Sequence, residues 1–482
     1  MSVLIGVDQG TSGTRTVAFD LELRQLAEAY RPAEVSHPHP GWIEKDAEQM
    51  VPTVAESVAE VVDAVGGADE VAAIGLDNEG ESVVAWDAST LRPLAPVVVW
   101  GSRVSQPVVE RLEAAGLGAE VEALAGLPLD PYFSATKVRW LVESVPAVAE
   151  AAAAGSLRVG TLDAYLCARL GSGARTDPST AARTQLQALA SPGDWDPRLL
   201  ELHDVAREWL PPVGPSVGEL GELCGLPLRG MLVDQTASLA GHGCVGDGMA
   251  KATYGTGIFV LQNAGSAPPA DLHGLLPCVA WGDTTGVVYA RDGGIFSAGT
   301  VISWLRDGLG AFGGAAESGP LAESVPNTGG VRFLPALAGL GAPWWRSDAR
   351  AVISGVTSGT TRAHIVRAAL DALAFRVRDV VDALPERPEV LRVDGGLTAN
   401  AFLMQRQADV LGLPVLIAAQ PETTALGAAA FAGVGAGMLS MDDLARLTGS
   451  GRLVEPSATA AIDLADEDYQ AWRAFAEVAA AL

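Results

Sequence analysis

The chain has 482 residues, 49% hydrophobic and 19% charged, with a formal net charge of −26, a composition that can bury sizeable cores and predicts a folded globular protein. So large an acid excess repels phosphate backbones and anionic lipid surfaces, which argues against nucleic acid and membranes as partners. Four scattered cysteines (Cys167, Cys224, Cys244 and Cys278) make neither a disulfide framework nor a C-x-x-C metal site, and with no signal peptide and no apolar run of about 18 residues the expected location is the cytoplasm.

The chain opens on a short apolar strand, VLIGV (3–7), a Gly/Thr-rich turn and a returning strand, TVAFD (16–20). Residues 47–65 carry apolar positions at helical spacing and predict an amphipathic helix, and AAIGLD (72–77) predicts the next strand. Strands and helices continue to alternate, the pattern of layered α/β architecture. Near the middle, a Gly-rich stretch (241–248) leads into KATYGTGIFVLQN (251–263), a second strand, Gly/Thr turn and strand. Two halves that open in the same way suggest two related domains. A third unit, LRVDGG (391–396), joins a strand through paired glycines to a helical run after Asn400.

These turns carry the chemistry. In Asp8-Gln9-Gly10-Thr11-Ser12-Gly13-Thr14-Arg15 glycines let backbone N–H groups converge, hydroxyls add donors and Arg15 adds positive charge, a set suited to polyphosphate. Tyr254-Gly255-Thr256-Gly257 offers similar donors from the other half, although either turn alone reads more readily as an ordinary hairpin. Asp8, at the end of an apolar strand facing such a turn, is suited to hold Mg²⁺ through its water shell. The paired glycines after Asp394 permit the close approach of an adenine or ribose. No G-x-x-x-x-G-K-[ST] occurs, which excludes a P-loop kinase. A formal G-x-G-x-x-G at Gly308, Gly310 and Gly313 follows the helical-looking VISWLRD (301–307) and is not a dinucleotide fingerprint.

The ordered series DQGTSGTR, GWIEKD (41–46), DPYFSATKVRWL (130–141), VDQTASLAG (233–241), MAKATYGTG (249–257), LPALAGLGAPWW (334–345) and LRVDGGLTANAFLMQ (391–405) closely resembles the FGGY carbohydrate kinases, and within them the glycerol kinases. The resemblance spans roughly residues 3–435. It implies two ribonuclease-H-like domains of the actin and hexokinase type, residues 1–241 and 242–482, facing a central cleft. The first would hold the polyol and a phosphate loop, the second ATP. Position by position it implies nucleotide contacts at Thr11, Ser12, Gly13, Arg15, Thr256, Gly299, Gly396 and Asn400, with Ser303 a further neighbour in place of the usual glutamine. The implied polyol contacts are Glu81, Trp100, Tyr132, Asp234, Gln235 and Phe259, donors and acceptors beside an apolar wall. Asp234 is the implied general base, although alone it reads as a helix N-cap. The implied reaction is Mg²⁺- and ATP-dependent phosphorylation of a primary hydroxyl, glycerol foremost; the resemblance leaves a homo-oligomer open.

One departure stands out. Glycerol kinases carry Arg-Glu where this chain has Gly80-Glu81, and Glu79 stands where glutamine is usual. Losing that arginine leaves Glu81 without a fixed cationic neighbour and opens space. Either another donor fills in, or the substrate is a longer polyol or a ketose. A non-catalytic polyol or nucleotide sensor on the same fold is the reading from another class; the intact Asp8, Asp234 and both loops speak against it. The stretch 218–230 also lacks the basic Gly-Lys-rich loop with which some glycerol kinases bind a sugar-bisphosphate inhibitor, so that regulation is not expected.

Overall fold

Two separate β-sheets organise the chain, which the computed structural model describes from residue 2 to residue 481 apart from the side chain of Ala460; the outermost residues of the two expected domains, 1 and 482, lie outside the described residues. In the first sheet Val3–Gln9 is central. It pairs antiparallel with Gly13–Phe19, which pairs antiparallel with Gln25–Pro32. On its other side it runs parallel to Val71–Asn78, itself parallel to Leu226–Val233. The central strands are buried on both faces, with Leu4, Ile5, Val7, Ile74 and Leu76 fully enclosed, as parallel strands covered by helices require.

The second sheet repeats this plan. Ala250–Tyr254 pairs antiparallel with Ile258–Gly265 and parallel with Leu391–Asp394, which runs parallel to Val415–Ala418. Val287–Ile295 takes the third antiparallel place, and Leu276–Gly282 and Gly451–Val454 form the edges. The same order of antiparallel and parallel neighbours in both halves is the ribonuclease-H-like plan anticipated above. The expected amphipathic helix runs Ala47–Ala64, started by Asp46, whose carboxylate accepts the Glu48 N–H at 2.9 Å; Met50, Val54, Val58 and Val61 form its buried stripe. The glycines at 308, 310 and 313 follow a helix, Gly299–Ser303, and a π-turn, Trp304–Gly308, with no strand before them.

Between the sheets lie two helices, Asp234–Gly241 and Thr423–Gly435, packed against each other. Their backbones approach so closely that a β-carbon on Gly427 would collide with the Ala237 carbonyl, and one on Gly241 with that of Thr423. Thr423–Gly435 follows the second sheet in sequence, yet it packs on Val3–Gln9, Val71–Asn78 and Leu226–Val233 of the first. Ala425, Ala428, Ala429 and Ala432 are fully buried there. An insertion between Val71–Asn78 and Leu226–Val233 builds one flank of the cleft from short strands and helices, including Ser134–Ser144 and Pro178–Ala182. Among the described residues the four cysteines are unbridged and no helix is long and apolar enough to cross a membrane.

Candidate active site

Both inner sheet faces aim polar side chains at the cleft. Asp8, Arg15 and Asp77 are cross-strand partners on the first sheet. On the second, Lys251, Thr253, Phe259, Asp292 and Asp394 share one face through the pairs Lys251↔Leu261↔Asp292 and Asp394↔Thr253↔Phe259. The Gly10–Gly13 turn is closed by the Gly10 N–H donating to the Gly13 carbonyl at 3.0 Å. Lys45, only 3% exposed, donates to the Gly10 carbonyl at 3.1 Å and to Glu79 Oε1 at 2.9 Å, so the GWIEKD segment braces the first loop. Thr11 accepts the Trp100 indole N–H at 2.9 Å, tying a residue expected at the polyol to one expected at phosphate.

Asp234 is the first helical residue after Leu226–Val233, and Val233 holds the N-cap place, so Asp234 is not the N-cap that its sequence position suggested. Its Oδ1 accepts the Gln235 backbone N–H at 2.6 Å, while Oδ2 has only a 3.5 Å contact from the Gln235 amide. Lys251 donates to Gln235 Oε1 at 2.8 Å and fixes that amide. Burial, then the negative charges of Glu81 and Asp8, push the Asp234 carboxyl up to about 7. Asp77, fully buried, receives no N–H or hydroxyl donor; its one side-chain partner is the Asp8 carboxyl. Its proton affinity is raised well above the carboxylate range by burial and by the charges of Asp8 and Asp234, and burial raises that of Asp8 as well.

Glu81 sits in the left-handed region at φ 61°, a costly backbone for a non-glycine residue and one that clusters at functional sites. The Ser134 hydroxyl holds its carbonyl at 3.1 Å. The expectation that Glu81 lacks a fixed cation is overturned: Arg183, at the end of helix Pro178–Ala182, donates from Nε to Glu81 Oε1 at 2.5 Å. The space expected beside Gly80 is also closed. A β-carbon there would lie 2.9 Å from Val233 Cγ2 and 3.5 Å from Arg183 Cγ. The residue that fills the gap is distant in sequence, and no local pattern announces it. Tyr132 stacks edge-on against Trp100 with centroids 5.5 Å apart, and its hydroxyl lies 3.4 Å from Arg183 Nη2. Glu81, Trp100, Tyr132, Asp234 and Gln235 thus gather on one side of the cleft; Phe259 faces them from the second sheet, beside Gly294.

Of the expected nucleotide positions, Thr256, Gly299 and Gly396 gather around the second hairpin, while Thr11, Ser12, Gly13 and Arg15 lie on the first. Gly299 donates its N–H to the Gly255 carbonyl at 3.0 Å, which sets helix Gly299–Ser303 directly on the 254–258 turn, with Ser303 exposed at its end. Gly396 is open, with nothing within 4 Å of the place of a β-carbon. Asn400 caps helix Ala401–Leu411, accepting the Leu403 N–H at 3.1 Å, and its amide reaches Ser318 at 3.1 Å. Arg15 is held by Glu28 and, at 2.9 Å, by Glu422 at the start of the buried cross-domain helix; Ser12 is exposed at the loop tip. Sequence reasoning missed Lys45, Asp77, Arg183, Lys251 and Asp292. Asp77 alone carried a usable signal, an acid closing an apolar strand as Asp8 does.

Family comparison bears directly on this arrangement. Residues 3–241 match the N-terminal domain of the FGGY family of carbohydrate kinases and residues 250–436 its C-terminal domain. The chain belongs to that family. It is 43% identical to a glycerol kinase of Halorhodospira halophila, over 98% of this chain and 95% of that one. Among solved structures, glycerol kinase of Plasmodium falciparum with ADP superposes with a TM-score of 0.92 at 29% identity, covering 99% of this chain and 98% of the other. A xylulose kinase from Rhodospirillum rubrum superposes at 0.87 with 26% identity, over 99% and 98%. This FGGY kinase therefore has the two-domain fold of its family along its whole length.

Proposed function

We propose that this FGGY kinase transfers the γ-phosphoryl group of ATP to a primary hydroxyl of a small polyol, glycerol foremost. The observation that carries the reading is Asp234: a carboxylate poised near neutrality, with Oδ2 almost unpartnered, on the cleft side of a helix N-terminus and among Glu81, Tyr132 and Gln235. Oδ2 takes the proton of the attacking hydroxyl as that oxygen bonds to the γ-phosphorus and the bridging oxygen leaves with ADP. Gln235, fixed by Lys251, holds Asp234 in place. Trp100, Tyr132 and Phe259 wall the carbon chain, and Glu81 accepts from a hydroxyl. The turns at Thr11–Gly13 and Tyr254–Gly257, with Gly299, Gly396 and Asn400 behind the second, cradle the nucleotide.

Mg²⁺ fits this site as a hydrated ion. Asp8 and its carboxyl neighbour Asp77 are hard donors, and among the described residues no group of three or more acids, histidines or cysteines could cage a bare ion. That suits an ion keeping its waters on one or two carboxylates and the substrate phosphates. When bound it neutralises charge developing on the transferring phosphoryl oxygens. On this reading residues 1–241 hold the acceptor and residues 242–482 the nucleotide, the division that the two family matches support. The identity to glycerol kinases and the closed space at Gly80 favour glycerol over a longer polyol or ketose. ADP release measured with ATP, Mg²⁺ and glycerol, erythritol, xylitol or a ketopentose should be fastest, by kcat/KM, with glycerol. A four- or five-carbon substrate leading that series would overturn the substrate, and release indifferent to any acceptor would overturn the reaction.

A further inference from the structure

Glycine at position 80 removes a side chain from the acceptor site, and the structure shows what stands there instead. Arg183 is 6% exposed and its stem passes Gly80, with Cγ and Cβ 3.5 and 3.7 Å from where a β-carbon would sit. Val233 takes the remaining volume. The guanidinium reaches three partners: Glu81 Oε1 at 2.5 Å from Nε, Asp292 Oδ2 at 3.3 Å from Nη1 and the Tyr132 hydroxyl at 3.4 Å from Nη2. It also lies over the rings of Tyr132 and Phe133, 5.6 and 5.5 Å from their centroids. A guanidinium carries five N–H donors. Among the described residues these contacts engage one on each nitrogen, which leaves one on each terminal nitrogen. Asp292 Oδ1, buried beside it, has no partner either. A fixed cationic fork with spare donors therefore lies between two residues of the acceptor site, Glu81 and Tyr132.

We infer that Arg183 is the specificity-determining donor of the acceptor site, donating to a hydroxyl of the alcohol other than the one phosphorylated and so selecting a compact polyol with neighbouring hydroxyls. The inference rests on the reading of this cleft as a polyol kinase site. Glu81, in the turn just after strand Val71–Asn78, and Asp292, on the second sheet, hold the fork, so it is oriented before the alcohol enters, and a planar donor pair recognises adjacent oxygens better than a point charge does. An alcohol lacking the matched hydroxyl would leave a buried charged donor unpaired, which is how a polar site rejects a deoxy analogue.

The test compares the parent with Arg183→Gln and Arg183→Lys on glycerol, propane-1,2-diol and propane-1,3-diol, with glycerol binding followed by calorimetry in the same preparations. Loss of a charge-assisted hydrogen bond should raise the glycerol KM about 10- to 100-fold in Arg183→Gln, leave the ATP KM within about threefold, and shrink the preference for glycerol over at least one diol by a similar factor. Arg183→Lys, which keeps the charge beside Glu81, should fall between the two. If the glutamine variant does not fold, the same selectivity ratio in the lysine variant decides. Equal loss on all three alcohols with selectivity intact, or unchanged glycerol binding, would overturn the inference. A parent that binds glycerol through Arg183 without releasing ADP would keep it and sink the kinase reading; a parent that neither binds nor turns over glycerol would sink both.

Discussion

At the scale of single residues the decisive quantity is the proton affinity of Asp234. Burial, with Glu81 and Asp8 behind it, lifts this carboxyl to about 7 against the partial relief of the Gln235 N–H and Lys251, so on the proposed role it is a weak acid near the pH at which it would accept a proton. A base must be unprotonated to act, so kcat/KM should climb as pH rises through about 7 and level off above it. Asp234→Asn should flatten that limb and lower kcat by roughly 10²–10⁴ while nucleotide binding survives. A pH–rate profile with titration of ADP binding checks both, and unchanged turnover would remove Asp234 from the chemistry. The pair Gly80 and Val233 supports a second expectation. Gly80→Arg alone should destabilise the protein by roughly 1–3 kcal/mol, the usual range for overpacking, and weaken polyol binding, because Val233 Cγ2 and the Arg183 stem already occupy the path. Adding Val233→Gly should recover much of both losses, as thermal melts and glycerol KM would show.

Elements explain how far the sequence could be read. The place of Asp8, near the end of a buried strand and beside a turn, was legible because the local pattern of apolar strand, acid and Gly/Thr turn encodes it, and the hairpins at 10–13 and 254–258 formed where the glycines stood. Asp234 was legible only through resemblance: alone, an acid before TASLAG reads as a cap, and the helix instead begins one residue earlier than a cap requires. Arg183 was not legible, because its partners Glu81 and Asp292 lie 102 and 109 residues away and nothing near position 183 encodes them. The packing partner of Thr423–Gly435 was not legible for a related reason. Its sequence, TTALGAAAFAGVG, is small and apolar on every side, so it reveals burial but not the sheet that buries it. Its small residues serve the crossing with Asp234–Gly241, and Gly427→Ala tests this. The added methyl meets the Ala237 carbonyl, and backbone cannot yield as a side-chain tip can. The variant should lose roughly 1–3 kcal/mol of stability. Because Asp234 heads the displaced helix, its polyol kcat/KM should fall with it. A melting temperature equal to that of the parent would show the crossing to be looser than the backbone contact implies.

At the scale of the whole molecule the charge of −26 acts on one substrate and spares the other. The cleft does not reverse the overall sign: Asp8, Glu79, Glu81, Asp234, Asp292 and Asp394 still outnumber the cations Arg15, Lys45, Lys137, Arg183 and Lys251 that face or brace it. Steering normally accelerates charged ligands by about 10–10³ in sites of opposite sign; here the approach of an anionic nucleotide is opposed. Salt shortens the Debye length from about 30 Å at 0.01 M to about 8 Å at 0.15 M, hiding distant acids while leaving the short-range contacts of the two phosphate turns in place. The KM for ATP should therefore fall a few-fold as ionic strength rises through that range at constant free Mg²⁺. The KM for a neutral polyol should stay flat, because no net charge couples it to the field. Steady-state kinetics across a salt series, with ATP and glycerol varied in turn, reads both at once. An ATP KM that climbs with salt would mean that the local cations around the turns, rather than the acidic body of the protein, govern how the nucleotide arrives.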